Sequence, residues 1–368
     1  VPNINFDSEG ICNYCKSYFN SPKQVFDVEL QKRNFDELIT KVKRNGKGKP
    51  YDCIVGLSGG VDSSYAIVRA VEAGLRPLAV HMDNGWNSEL AQNNIANLVR
   101  ILKVDLHTHV IDWTEYRELM QAFFDADVID VELLYDNAML AVNYKQASKF
   151  GLRYILAGYN KATEGMPLPE SWSWNKYDKL NIRDIAKNHG NVKIKTFPAV
   201  GSWAFAYYNY IKLISFVPFL DYFPYNKYEA LDLLENNFGY KRYPYKHYES
   251  IFTRFYQGYI LPKKFGVDKR KIHLSNLVVS GQLSREQALE DIKGIPYPNE
   301  EALNSDIEYF LKKMKWTSEM LESYISRPEV SHNKYASERK LFNKVVNVRD
   351  KLPKGFSNAI VKWVKKNR

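Results

Sequence analysis

The heptad Ser58-Gly59-Gly60-Val61-Asp62-Ser63-Ser64 stands directly behind the apolar run Asp52–Leu57, and this pairing limits the fold more than any other feature of the chain. It predicts a strand, a glycine turn and a helix start. Two adjacent glycines let the backbone turn with its N–H groups inward, the hydroxyls of Ser58, Ser63 and Ser64 add donors, and the dipole of the following helix favours an anion. The expected ligand is therefore a phosphate or pyrophosphate. Asp62 is a carboxylate in an anion site, which makes sense if it holds a cation, most simply Mg²⁺ bridging phosphate oxygens. No Gly-Lys-Ser/Thr follows, which excludes a Walker A loop, and G-x-G-x-x-G is absent, which excludes a dinucleotide fingerprint. Gly56-Leu57-Ser58-Gly59-Gly60 also fits the G-x-S-x-G nucleophile elbow. That reading leaves Asp62 and Ser63 without a role, and no His-bearing loop is identifiable to serve it.

From Tyr51 to about Gly165, strand and helix patterns alternate, which predicts an α/β fold with a doubly wound parallel sheet. Strands are expected at Asp52–Leu57, Arg76–Met82, Asp105–Ile111 and Arg153–Ala157. Helices are expected at Ser63–Ala73, closed by Gly74, at Ser88–Leu102, and within Glu115–Phe124 and Asp130–Phe150. In such sheets ligands sit beyond the carboxyl ends of the strands, so the strand tails should converge on one crevice. Those tails are Ser58–Ser64, the run His81-Met82-Asp83-Asn84, Asp112, and Gly158-Tyr159-Asn160 running on to Thr163-Glu164-Gly165. Asp83 has a second reading as the cap of its own loop.

With 368 residues, 45% hydrophobic and 14% aromatic, the chain is long enough for a sizeable core and two or three domains. The sequence divides into an N-terminal segment (1–50), the α/β unit (51–165), an aromatic-rich region (166–299) and a basic helical region (300–368). Trp172 and Trp174 flank an expected loop beside Glu164 and are read as substrate-binding, since aromatic faces stack on sugars as well as filling cores. Cys12-Asn13-Tyr14-Cys15 is half of a zinc knuckle, because tetrahedral zinc wants four ligands. The third cysteine, Cys53, falls inside a strand and reads as a structural thiol. Net charge is +10, which suits nucleic acid, anionic sugar nucleotides or a membrane surface alike; Lys41–Lys49 and the tail Lys340–Arg368 carry much of it. The longest uncharged stretch, Thr196–Ile211, is too short to span a bilayer. Without a signal-peptide pattern or an even cysteine framework, the expected compartment is the cytoplasm.

The heptad resembles the PP-loop of ATP pyrophosphatases, which adenylate an oxygen and release pyrophosphate. A narrower resemblance runs from about Ile4 to Ile292. Ile4–Asp7 with Gly10–Cys15, Gly56–Ser64, His81–Asn87, Gly158–Asn160 with Glu164-Gly165, and Tyr248–Arg285 are similar to the N-acetyl sugar amidotransferases of bacterial O-antigen and flagellar sugar biosynthesis. That family carries another C-x-x-C before the position of Val1, which is what zinc at Cys12 and Cys15 would need.

The resemblance implies ATP and Mg²⁺ as cofactors, with Ser58, Gly59, Gly60, Asp62, Ser63, Ser64, His81, Asp83 and Gly158 around the nucleotide. It further implies Glu164 beside Asp62 as a metal ligand, and Lys269 and Arg270 as the late basic element that neutralises the departing pyrophosphate. The implied reaction turns an acetamido group into an acetamidino group through an O-adenylyl imidate and ammonia. A glutaminase needs a reactive Cys with a His base or a free N-terminal Cys, and neither is visible, so a separate glutaminase partner is expected. Three rivals remain open: a PP-loop tRNA-modifying thiolase or lysidine-type ligase, a serine hydrolase using the elbow, and a nucleotide-binding subunit without catalysis.

Overall fold

The computed structural model describes residues 1–20, 28–191 and 193–351; the part of the basic tail beyond 351 lies outside them. Among the described residues five strands form one sheet: β1 (Cys53–Gly56), β2 (Pro77–Asp83), β3 (Leu106–Val110), β4 (Tyr154–Ala157) and β5 (Ser215–Pro218). Their order is β3-β2-β1-β4-β5 and every neighbouring pair is parallel. The expected α/β doubly wound architecture is what forms. β5 was not foreseen. It is four residues long, ends in a proline and lies within the aromatic-rich region, and an edge position tolerates the missing N–H.

The helices flanking the sheet that matter here are α1 (Asn13–Asn20), α2 (Val28–Gly46), α3 (Val61–Glu72), α4 (Glu89–Leu102), α5 (Trp113–Asp125), α6 (Leu133–Lys149) and α7 (Lys161–Glu164). Successive strand side chains point to opposite faces, and the sequence obeys this. Cys53, Val55, Ala79, Leu156 and Val217 pack with α2, α3 and α4, while Ile54, Leu78, Val80 and Ile155 pack with α5 and α6. Central strands covered on both faces must be apolar throughout, which is why β1 and β4 read as unbroken runs. Strand order reverses between β1 and β4, and the crevice beyond their carboxyl ends is the place such sheets bind ligands.

The second of these cores continues into the C-terminal helices, where Phe124, Phe252, Phe310, Trp316 and Tyr324 pack edge to face. No described helix is long and apolar enough to cross a membrane.

Within this core His332 is 3% exposed, its ring stacked on Trp174 at 5.0 Å. It donates from Nδ1 to Asn181 Oδ1 at 2.7 Å and accepts at Nε2 from the Asp130 N–H at 3.3 Å, an arrangement only the neutral ring satisfies. Burial pushes its pKa down from 6.5 to about 4. Between those values the unfolded chain binds the extra proton, so stability is retained above about pH 6.5 and lost as pH falls towards 4, by about 3 kcal/mol in all. Urea unfolding at pH 7 and pH 4.5 should show this loss, and His332→Gln should remove that part of the slope.

Candidate active site

The serine loop closes on itself before it meets any ligand. Gly59 takes φ +86°, the left-handed region that favours glycine. Ser63 Oγ accepts from the Ser58 N–H at 3.2 Å and lies 3.1 Å from the Gly60 carbonyl, while Ser58 Oγ accepts from the Gly60 N–H at 3.2 Å. Gly60 is the N-cap of α3 and offers no side chain to the first turn, so that turn's leading N–H groups are left for an anion. The Gly59 carbonyl accepts two phenol hydrogen bonds, from Tyr240 at 3.1 Å and Tyr243 at 3.0 Å. Two tyrosines of the aromatic-rich region thus clamp the loop.

Ser64 departs from expectation. It is 1% exposed and its hydroxyl is enclosed without a partner, so only its N–H, 3.1 Å from the Gly60 carbonyl, belongs to the loop.

Gly158 follows β4 and lies against the first turn of α3. A Cβ there would lie 2.7 Å from both the Ser63 nitrogen and the Asp62 carbonyl carbon, so the glycine sets how closely the two strand tails approach. Gly158→Ala is expected to cost about 1–3 kcal/mol through overpacking and to weaken binding of an ATP analogue, since relief of the clash must move the loop. Thermal melts and a nucleotide titration check both.

Asp62 accepts a short hydrogen bond from the Tyr225 phenol. α7 follows β4, capped by Asn160 through the Thr163 N–H at 2.9 Å, and its last residue, Glu164, meets Lys246 Nζ at 3.0 Å. Burial raises the Asp62 pKa, and Glu164 adds to the rise against the opposing charge of Lys246. For Glu164 burial works the same way, but Lys246 prevails and holds the carboxyl below its usual range. The charge of Glu164 is thus felt at Asp62, and both carboxylates answer to Lys246. Lys227 stands within reach of the same charges.

The segment Lys246–Ile251 reaches this crevice because its backbone is tied to the loop after β2. The Ser88 N–H donates to Glu249 O and the Ile251 N–H to Trp86 O, both at 2.9 Å. His247 and His273 lie ring to ring at 5.3 Å, and His273 is held well below its ordinary pKa by burial, with Lys246 and His247 adding to it.

Sequence reasoning placed the late basic element at Lys269 and Arg270, and the structure corrects this. Lys269 forms a 2.6 Å pair with Glu132, its charge reaching His273 only at one remove. The fork of Arg270 is committed to Asp268 at 2.8 Å and to the Gly294 carbonyl at 3.0 Å. Lys246 stands at Glu164 instead, and Lys227 feels the charge of both carboxylates. The cluster Lys246-His247-Tyr248-Glu249-Ser250 stands out in the sequence, but nothing in it points Lys246 at the carboxylates.

Trp172 and Trp174 are corrected as well. They are 4% and 8% exposed, and Trp174 is spent on Asp178, through its ring N–H at 2.9 Å, and on His332. They fill the core and offer no face to a sugar.

His81 and Asp83 act behind the loop. His81 donates from Nδ1 to the Leu57 carbonyl at 2.8 Å and accepts from Asn87 at 3.0 Å; burial lowers its pKa, which keeps it neutral in this role. Asp83 accepts from the Gly85 N–H at 2.8 Å, the loop-capping alternative. Asp112 caps α5 through the Glu115 N–H at 2.8 Å. The Ser58 hydroxyl meets Ser63 Oγ and the Gly60 N–H, and no described histidine bonds it, which removes the support for an elbow.

Cys12 and Cys15 lie side by side at the start of α1, with the Cys15 thiol pushed up to about 11 by burial and by Cys12. Among the described residues no group of three metal-ligating side chains converges, so zinc has half a site and no step is built on it. For Mg²⁺ and a polyphosphate the donor set does fit, with hard carboxylate oxygens on one side and N–H groups, a hydroxyl and ammonium groups on the other.

Comparison with known proteins finds similarity over parts of the chain. A family model described as "LPS biosynthesis protein WbpG-like, C-terminal domain" matches residues 249–349. No curated protein matches. NMN synthetase from Francisella tularensis is similar at 16% identity over 56% of this chain and 93% of that one, with a TM-score of 0.30. The NH3-dependent NAD synthetase from Campylobacter jejuni subsp. jejuni NCTC 11168, solved with nitrate, gives 16%, 56%, 84% and 0.30. The stretch similar to the WbpG-like domain opens at Glu249, inside the segment that carries Lys246 to the carboxylates.

Proposed function

We propose that the chain is an ATP-dependent amidotransferase of surface polysaccharide biosynthesis, converting the acetamido group of a nucleotide-linked sugar to an acetamidino group. The observation that carries this reading is the convergence of the Ser58–Ser63 donors, Asp62, Glu164, Lys246 and Lys227 at the switch point of the sheet. The WbpG-like match over residues 249–349 supports the sugar side of it.

An acetamido oxygen is a poor leaving group. Its attack on the α-phosphorus of ATP forms the O–P bond, breaks the bond to the β-phosphate oxygen and releases pyrophosphate. Ammonia then adds to the imidate carbon, AMP departs with the former acetamido oxygen, and the amidine remains after proton loss. No protein nucleophile is consumed. The chain acts by position and charge: the α3 N-terminus and loop donors hold phosphate oxygens, and Lys246 and Lys227 offset the charge that builds on pyrophosphate. Mg²⁺ held by Asp62 and Glu164 would supply further neutralisation of the phosphates. Ammonia is supplied by a separate glutaminase in this reading, since Cys53 is buried with its thiol pushed far up by that burial and the Cys15 thiol is pushed up to about 11 by burial and by Cys12.

The test is incubation with ATP, Mg²⁺, ammonium and a panel of nucleotide-linked N-acetyl sugars. The expected result is AMP together with a sugar lighter by about one mass unit, the exchange of O for NH. AMP formed only with tRNA would overturn the proposal.

A further inference from the structure

The charges that a magnesium nucleotide would answer are already answered from within the chain. Lys246 Nζ lies 3.0 Å from Glu164 Oε1 and the Tyr225 phenol occupies Asp62 Oδ1, so each carboxylate has an internal partner. On the loop side, the point where a Gly60 Cβ would stand lies 3.3 Å from Glu249 Oε1 and 3.4 Å from Ser58 Oγ. A carboxylate is thus set against the phosphate cradle.

Lys246 and Glu249 belong to one short segment, fixed by the bonds to Trp86 and Ser88. It presents a cation to the carboxylates and an anion to the loop, the same polarity as a metal-bound triphosphate. The side chains are reached by water, with Lys246, Glu164 and Glu249 exposed by 23%, 32% and 21%, so their pairings can exchange without unfolding.

We propose that Lys246 and Glu249 form an internal counter-ion lock on the nucleotide site, opened by metal and nucleotide arriving together. The inference rests on the reading of the Ser58–Ser64 loop as that site. Free metal at Glu164 must displace Lys246 and leave an ammonium without its partner in a recess. Free phosphate at the loop must approach the Glu249 carboxylate. Each step alone leaves a half-buried charge without its partner, which is unfavourable. Together they cancel. Lys246 passes from Glu164 to a phosphate oxygen, the metal takes Glu164 and Asp62, and Glu249 keeps His247, 3.6 Å away. Metal and nucleotide then bind with positive coupling that Lys246 transmits.

The experiment is a Mn²⁺ titration of the full chain, with free Mn²⁺ read by electron paramagnetic resonance, in the absence and presence of α,β-methylene-ATP. The parent chain is expected to bind Mn²⁺ at least about tenfold tighter with the analogue, a coupling within the range typical of linked sites. In Lys246→Gln, Mn²⁺ alone should bind roughly tenfold tighter than in the parent, and the analogue should add little. Tyr225→Phe, which removes one hydroxyl and leaves the pair in place, should tighten Mn²⁺ alone by a smaller factor and keep the coupling; it carries the test if Lys246→Gln does not fold.

Equal Mn²⁺ affinity with and without the analogue overturns the lock, as does a folded Lys246→Gln chain that binds Mn²⁺ no tighter than the parent. A chain that binds neither probe overturns the lock and the nucleotide site together. Coupling without AMP formation from any acetamido sugar keeps the lock and removes only the proposed substrate.

Discussion

Asp62→Asn is expected to lower AMP formation by about 10³-fold, the scale on which a preorganised charge at a reacting centre acts, while raising thermal stability. The two effects have one cause. Asp62 sits among protein groups where burial already pushes its pKa up, and Glu164 adds like charge beside it. Asparagine has nearly the same shape, still accepts from the Tyr225 phenol, and brings no charge into the recess, so the fold should gain about 1 kcal/mol. Parallel melts and AMP assays separate this from a structural role, in which activity and stability would fall together. Ser58→Ala completes the comparison. A loop that positions phosphate loses one donor of several, whereas a nucleophile elbow would lose everything at Ser58 and nothing at Asp62.

Trp86→Ala should be the most damaging single substitution in stability, at about 4 kcal/mol. The indole is fully buried, with ring centroids of Phe252, Trp113, Tyr309 and Phe310 at 5.4, 5.5, 5.9 and 6.1 Å and the Lys313 ammonium 5.0 Å from its own. Losing it opens a cavity between the end of β2 and the helix Glu300–Met314. The Trp86 carbonyl also holds the Ile251 N–H, so the segment that carries Lys246 loosens with the core. Urea unfolding gives the stability loss. An analogue titration should show weakened nucleotide affinity even in the fraction that stays folded. Trp86→Phe keeps an aromatic ring in the slot and should lose roughly half as much.

The sheet and the serine loop were legible because their causes are local. Cys53–Gly56 and Tyr154–Ala157 must be largely apolar to be covered on both faces, and Gly59 must be glycine to take its φ; both leave marks within a few residues. The place of Glu164 in the tail after β4 was legible for the same reason, whereas its role beside Asp62 came only from the family resemblance. Lys246 was not. What brings it to Glu164 is a pair of backbone bonds to Trp86 and Ser88, about 160 residues upstream in sequence, and a main-chain bond has no side-chain signature. Lys269 and Arg270 had the more conspicuous local charge, yet Glu132 and Asp268 absorb it. Trp172 and Trp174 were misjudged through the same gap: an aromatic residue near a site and one under it look alike until packing decides.

The two phenols on the Gly59 carbonyl carry a consequence for how the chain can be divided. That peptide unit has two ends: its oxygen is fastened outward by Tyr240 and Tyr243, and the same bonds keep its N–H end from turning round. Both fasteners come from more than 180 residues further along. A fragment ending at Phe238 would contain all five described strands and the entire serine loop, but would hold that peptide only through the Gly60 N–H bond to Ser58 Oγ, with its oxygen unfastened. The orientation of the Gly59–Gly60 peptide is therefore secured only when residues 240–243 fold back over the serine loop, and the α/β unit does not own it alone.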